Sequence, residues 1–438
     1  MRSSAICAVG FDQAALPEKI ARFLVSVTLM LSIVFPTAFT VIKMGMLFIA
    51  FLMIFIIALK RRLVMAGGLY FFSLLYGAIG FAWSMYGEMV GNPGAMSALT
   101  VMVIYPLLIP FLSSLYRQEH SLSLYRIFLA CAWIIAVIDL MYVIVTPIYP
   151  GNALQNILEF LYEDWAVVDN ADTYIKFTLP NVSSVIFLLP FFLSVLFFSE
   201  SRKGIVNILI VVLLLLGVAM LSGRRALLLT MLLGPAIAFL ITLNAARNNV
   251  QSKSRPRLWM LLITTLALSF LTYLSVKVNG MEYYFDLVNS VFDFTSNQSN
   301  LERVYQFDAL MRGIVDAPLL GHGAGAVADY IRSDEMPWAY ELFFLSIVFQ
   351  YGIFGFLLYA SGVAFICWHL ISSIKKKGRS SFEFYFLSGF IAFIAATASN
   401  PYLAKFDYMW VLFIPYGIIN LKLISAKKSG SVGFFRAC

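Results

Sequence analysis

Apolar residues come in long runs along this chain, separated by short polar, glycine- or proline-bearing segments. A helix that crosses about 30 Å of hydrocarbon needs about 20 mostly apolar residues. Runs of that kind fall at about 22–40, 43–59, 64–85, 98–115, 124–148, 178–199, 205–221, 226–244, 258–276, 341–371, 382–399 and 408–423, which predicts about 12 spans. In lipid each must be a helix, because no water is available to an open backbone. Ile42 and Lys43 divide the first two runs most clearly. The tenth is the longest, and Gly352 and Gly355 are where it can break into an exposed half-helix and a membrane half. Two longer stretches interrupt the runs, at about 149–177 and about 277–340. The second carries Tyr283-Tyr284-Phe285, Phe292 and Phe294 and a helix-like stretch at 301–315, so it predicts a folded cap. The chain therefore divides into an N-terminal bundle of about nine spans (1–276), a large loop (277–340), and C-terminal helices with a tail (341–438).

Composition turns this pattern into a class. Hydrophobic residues make up 61% and charged residues 12% of the 438 positions, against roughly 45–50% and about 25% in soluble domains. Mean hydropathy is +0.86. The predicted fold class is an all-α integral membrane protein. Residues 1–20 are mixed and polar and show no removable signal, so the first span is expected to act as its own anchor.

Charge then sets the orientation. With the N-terminus inside, Lys60 to Arg62, Arg117, Arg126, Arg202, Lys203, the basic residues of 247–257, Lys375 to Lys377, Arg379 and those of 422–436 all fall inside. Both termini are then cytoplasmic. The net charge of +8 is spread over many turns and reads as topology, not as a nucleic-acid surface. Cys7 and Cys438 fall on the tails and Cys131 and Cys367 inside spans, so no disulfide or metal framework is implied.

Nine basic residues break the rule: Lys43, Lys176, Arg224, Arg225, Lys277, Arg303, Arg312, Arg332 and Lys405. Arg224 and Arg225 sit in Ser222-Gly223-Arg224-Arg225-Ala226, a tight turn between apolar runs. They either snorkel to head groups or mark an anion site. Arg303 and Arg312 lie in the helix-like stretch, where Arg303 and Gln306 share a face. A solvated surface helix explains them on spacing alone, yet guanidinium groups also suit phosphates. Pro318-Leu319-Leu320-Gly321-His322-Gly323-Ala324-Gly325 is a flexible, glycine-rich loop around a histidine, readable as a structural turn or a close approach to ligand. Glu341 follows Trp338-Ala339-Tyr340 at the mouth of an apolar helix. It is either a plain N-terminal carboxylate or a proton acceptor. Asp139, inside the fifth run, is read as a structural residue paired across helices or as part of a path through the spans.

In their order, the Ser-Gly-Arg-Arg-Ala turn, the large loop with Glu302-Arg303 and Pro318-Leu-Leu-Gly-His-Gly-Ala-Gly, and Glu341 ahead of Gly352 and Gly355 resemble the O-antigen polymerase and ligase superfamily of bacterial envelopes. Motifs carry the resemblance over about 220–370, and hydropathy alone carries it elsewhere. The resemblance implies a polyprenol-dependent glycosyltransferase of GT-C-like architecture in the inner membrane, with a large periplasmic loop and its site on the periplasmic face. Its donor is a glycan on undecaprenyl pyrophosphate. By the same resemblance Arg224, Arg225, Arg303 and Arg312 grip the pyrophosphate, no metal and no cofactor are needed, and Glu341 or His322 is the base. Ligases of the superfamily carry a His-Asn pair where this chain has Tyr340-Glu341. That departure favours a polymerase that transfers glycan to a lipid-linked repeat, with a chain-length regulator as implied partner. A ligase to lipid A core and a polysaccharide flippase are the alternatives.

Overall fold

A computed structural model describes residues 16–60, 65–116, 120–162, 167–171, 174–201, 204–222, 224–247 and 298–428, with the single positions 266, 269, 273 and 277. These residues are mostly helical: α1 (Leu16–Val34), α2 (Thr40–Lys60), α3 (Gly67–Val90), α4 (Ala95–Ser114), α5 (His120–Ile148), α6 (Ala153–Tyr162), α7 (Val182–Phe198), α8 (Ile205–Leu221), α9 (Arg225–Arg247), α10 (Gln298–Asp316), α11 (Phe343–Lys377), α12 (Phe382–Thr397) and α13 (Trp410–Lys428). One antiparallel hairpin, β1 (Val167–Ala171) with β2 (Tyr174–Thr178), follows α6. Among the described residues six helices are long and apolar enough to cross a membrane: α2, α3, α4, α5, α11 and a helix over Phe406–Ser425 that includes most of α13. The chain is therefore an all-α, membrane-embedded protein. The run expected at 258–276 lies outside the described residues, apart from those single positions.

Burial sorts the helices into a core and a rim. α7 is apolar on every side and almost wholly buried, as such a helix must be. It packs against α8, α9 and α12. Lipid tails are as apolar as leucine, so close van der Waals fit holds these helices together. Phe187 of α7 meets Trp410 at 4.8 Å and Phe386 at 5.0 Å between ring centroids. A Cβ on Gly389 of α12 would come within 2.7 Å of the Phe187 carbonyl oxygen, so that contact requires glycine. α2 stands at the rim and exposes Val41, Phe48, Phe55 and Leu59.

One end of the bundle, the loop end, gathers 35–39, 91–94, 149–162, 174–181, Ser222, Arg224, 298–342 and 398–409, which hydrogen-bond to one another. Hydrogen bonds tie these turns together, as from Gly94 N–H to Gly325 O and from Thr37 N–H to Asp407 Oδ2.

Three boundaries differ from those expected. The break between α1 and α2 falls at 35–39, not at Ile42 and Lys43. Pro36 has no N–H to continue a helix and disfavours helical backbone before it, and Thr37 and Phe39 adopt positive φ. The described residues of the 149–177 stretch form α6 and most of the hairpin. α4 contains a π-helical turn at Thr100–Ile104 where it crosses Gly80. The expected break in the tenth run is present: α11 is interrupted at Gly352 (φ 66°, ψ −175°), a conformation open only to glycine.

Candidate functional site at the loop end

The kink in α11 frees two backbone N–H groups, and the glycine-rich loop takes them. Ile353 N–H donates to Pro318 O at 2.9 Å and Phe354 N–H to Leu319 O at 3.3 Å. Gly321, Gly323 and Gly325 all have positive φ. Each approaches backbone atoms of another segment, at Gln350–Gly352, Gly87 and Gly94–Ala95 respectively. Asn92 Nδ2 donates to His322 O (2.9 Å) and Trp83 Nε1 to Leu320 O (2.8 Å). The loop is thus clasped between α3, α4 and α11.

His322 belongs to this clasp. Its Nε2 is 2.8 Å from Gly313 O, and its ring lies 4.8 Å from that of Phe349. A carbonyl only accepts, so Nε2 carries the proton. Gly313 and Arg303 are ten residues apart on α10, about 15 Å along the axis.

Glu341 collects charge from two distant segments. It is buried, and its carboxylate is split between two arginines: Oε2 accepts from Arg303 Nε at 2.7 Å, and Oε1 lies 2.6 Å from the Arg332 guanidinium. Its backbone N–H donates to the fully buried Gln306 Oε1 at 2.9 Å. The shared face of Arg303 and Gln306 is therefore the face that receives Glu341. Arg332 also approaches Glu302 at 4.0 Å.

Arg224 arrives from the turn before α9. Its guanidinium donates to Ser183 Oγ at 3.0 Å and to Leu179 O at 3.1 Å, both at the start of α7. Among the described residues no carboxylate forms an ion pair with it. Arg225 begins α9, and its side chain lies outside the described residues. Lys405, in the last loop, lies in the field of Arg224 and, more weakly, of Arg332, with Asp407 acting against them. Packing around the Lys405 ammonium strips away water, and the Arg224 charge adds to this. Together they hold it below the ordinary lysine value against the opposing pull of Asp407, although Lys405 as a whole residue is exposed.

Arg312 is not brought into this group. It is exposed and pairs at 3.5 Å with the equally exposed Asp329. Lys43 is wholly buried at the same end, paired with Asp407 and donating to Phe35 O at 2.8 Å. Arg332 stands out in the sequence only as a charge on the wrong side, and Gln306 only by its helical spacing.

An apolar cavity of about 120 Å³ lies between α3, α4, α11 and α13, bordered by Tyr76, Tyr105, Tyr351, Tyr359 and Tyr416. Among the described residues no three His, Cys, Asp or Glu side chains gather as metal ligands. Chemically, the loop end offers two guanidinium groups from separate segments on one carboxylate, and a third, that of Arg224, held by Ser183 and Leu179. That arrangement suits an anion with more than one charged oxygen. No family model matches this chain, and a search of curated proteins finds no match.

Proposed function

We propose that this chain is a membrane glycosyltransferase that polymerises a surface polysaccharide such as O-antigen. It transfers glycan from undecaprenyl pyrophosphate to the terminal sugar of a lipid-linked repeat on the periplasmic face of the inner membrane. The observation that carries the reading is the convergence of Arg303 and Arg332 on Glu341.

In this reading the cations take the pyrophosphate as it leaves the anomeric carbon, supplying charge stabilisation where negative charge develops. Arg303 and Arg332 turn from Glu341 toward phosphate oxygens, and the freed carboxylate accepts the proton of the attacking sugar hydroxyl. The two events are coupled because both use the same guanidinium groups. His322, with its Nε2 held by Gly313, remains the alternative base through Nδ1.

The test is reconstitution in liposomes with lipid-linked repeat units and no transmembrane gradient. Wild type is expected to build a ladder of chain lengths, and Glu341→Gln a single repeat. Transfer only when core oligosaccharide is added identifies a ligase. Movement of repeats across the bilayer without transfer identifies a flippase and removes the catalytic reading.

A further inference from the structure

Asp139 lies in the apolar length of α5 and is completely buried. Its Oδ1 is 2.6 Å from Asn181 Nδ2. Asn181, also completely buried, stands one residue before α7. Two atoms of the pair have no hydrogen-bond partner, Asp139 Oδ2 and Asn181 Oδ1. Both are acceptors if the acid is ionised. A carboxylate there would sit in a dry site with an uncompensated oxygen.

One proton removes the difficulty. As a carboxylic acid, Asp139 gains an O–H and the amide oxygen of Asn181 gains a possible donor. Exchanging O and N in the Asn181 amide leads to the same result, because two oxygens 2.6 Å apart need a proton between them. That separation also falls in the range of O–H···O rather than N–H···O bonds.

The setting gives the proton a purpose. Asn181 lies between Leu179 and Ser183, the two residues that hold the Arg224 guanidinium. Among the described residues, Arg224 from the turn before α9 and Tyr162 from α6 are ionisable groups that interact electrostatically with Asp139 across the packing. Tyr162 is engaged through its hydroxyl with Val34 O at 3.2 Å. An ionised Asp139 would cancel part of the Arg224 charge, whereas a neutral one leaves it whole.

We propose that Asp139 carries its proton and shares it with Asn181, a neutral acid–amide pair that fixes the start of α7 under Arg224 and leaves the guanidinium charge uncancelled for an anionic ligand. Asp139 is then a positioning residue. The inference requires an anion at Arg224 but no particular reaction.

The experiment uses the full chain in lipid nanodiscs. Infrared spectra of wild type and Asp139→Asn are compared at neutral pH, and inorganic pyrophosphate binding is measured by calorimetry. Wild type is expected to show the carbonyl stretch of a protonated carboxyl group, missing in Asp139→Asn. The variant, which keeps shape and neutrality, is expected to bind pyrophosphate within about twofold of wild type. Absence of the carboxyl band from wild type overturns the proposal. So does pyrophosphate binding about tenfold tighter in Asp139→Asn, since removing a real negative charge beside Arg224 would do that. If wild type binds no pyrophosphate, the anion half falls, while the band still decides the proton independently of any glycosyl transfer.

Discussion

Lys43 and Asp407 meet in a closed pair: the lysine is fully buried, and Phe35 O and Thr37 N–H occupy further positions around the two groups. Glu341 meets Arg303 and Arg332 in an open one, with the arginine side chains 31% and 43% exposed. Both clusters lie at the loop end and join segments far apart in the chain. The closed pair has nowhere to admit a ligand and locks the α1–α2 turn to the last loop. The open cluster has a buried carboxylate facing cations that still reach solvent, so an incoming anion can compete for them. Burial of the cation, rather than its presence, separates a fastening from a site.

The sharpest way to break this comparison is Lys43→Ala. Leaving Asp407 buried and unpaired is expected to cost about 3–5 kcal/mol, read as lost folded protein on thermal unfolding in detergent. Lys43→Met with Asp407→Leu should recover most of that. Next comes Arg303→Ala, expected to lower transfer about 10²–10³-fold. Its unfolding temperature should fall less than that of Lys43→Ala, because Arg332 stays on Glu341. Arg303→Lys should rescue only partly, since an ammonium lacks the guanidinium fork.

A smaller effect is expected with pH. The lowered value of Lys405 makes pyrophosphate affinity fall as pH rises, before an ordinary lysine at 10.5 would discharge. Lys405→Arg should flatten that fall in a calorimetric titration. Stability has the opposite sign for this group: the unfolded chain binds the proton more tightly, so its contribution rises with pH between the lowered value and 10.5. The smallest effect is Arg312→Ala. An exposed pair contributes about 0–1 kcal/mol, so transfer should change less than about threefold in the same assay.

Hydropathy made much of this molecule legible. The runs at 205–221 and 382–399 reappear as the apolar helices α8 and α12 nearly residue for residue, although both are shorter than the six described helices that are long enough to cross a membrane. Turns were less legible where the signal was a single residue: Pro36 ends α1, yet the surrounding run stays apolar enough to hide it. The site was half legible. Glu341, Arg303 and Arg224 stood out as charges against an apolar background. Arg332 pairs with Glu341 from an irregular segment, where no periodicity ties position to partner. Asp139 and Asn181 were invisible as a pair because 42 residues separate them.

The clasp around Gly352 bears on how this chain can vary over generations. Gly321 fits against Gln350–Gly352, Gly323 against Gly87, and Gly325 against Gly94–Ala95. None of these positions can acquire a side chain alone without displacing backbone in another segment. Drift in side-chain size is therefore blocked along 321–325, while the solvated stretch a few residues later, at Asp334 to Met336, is free to change. Among descendants of one ancestor, the cap should diversify in its outer turn and keep its inner clasp unchanged.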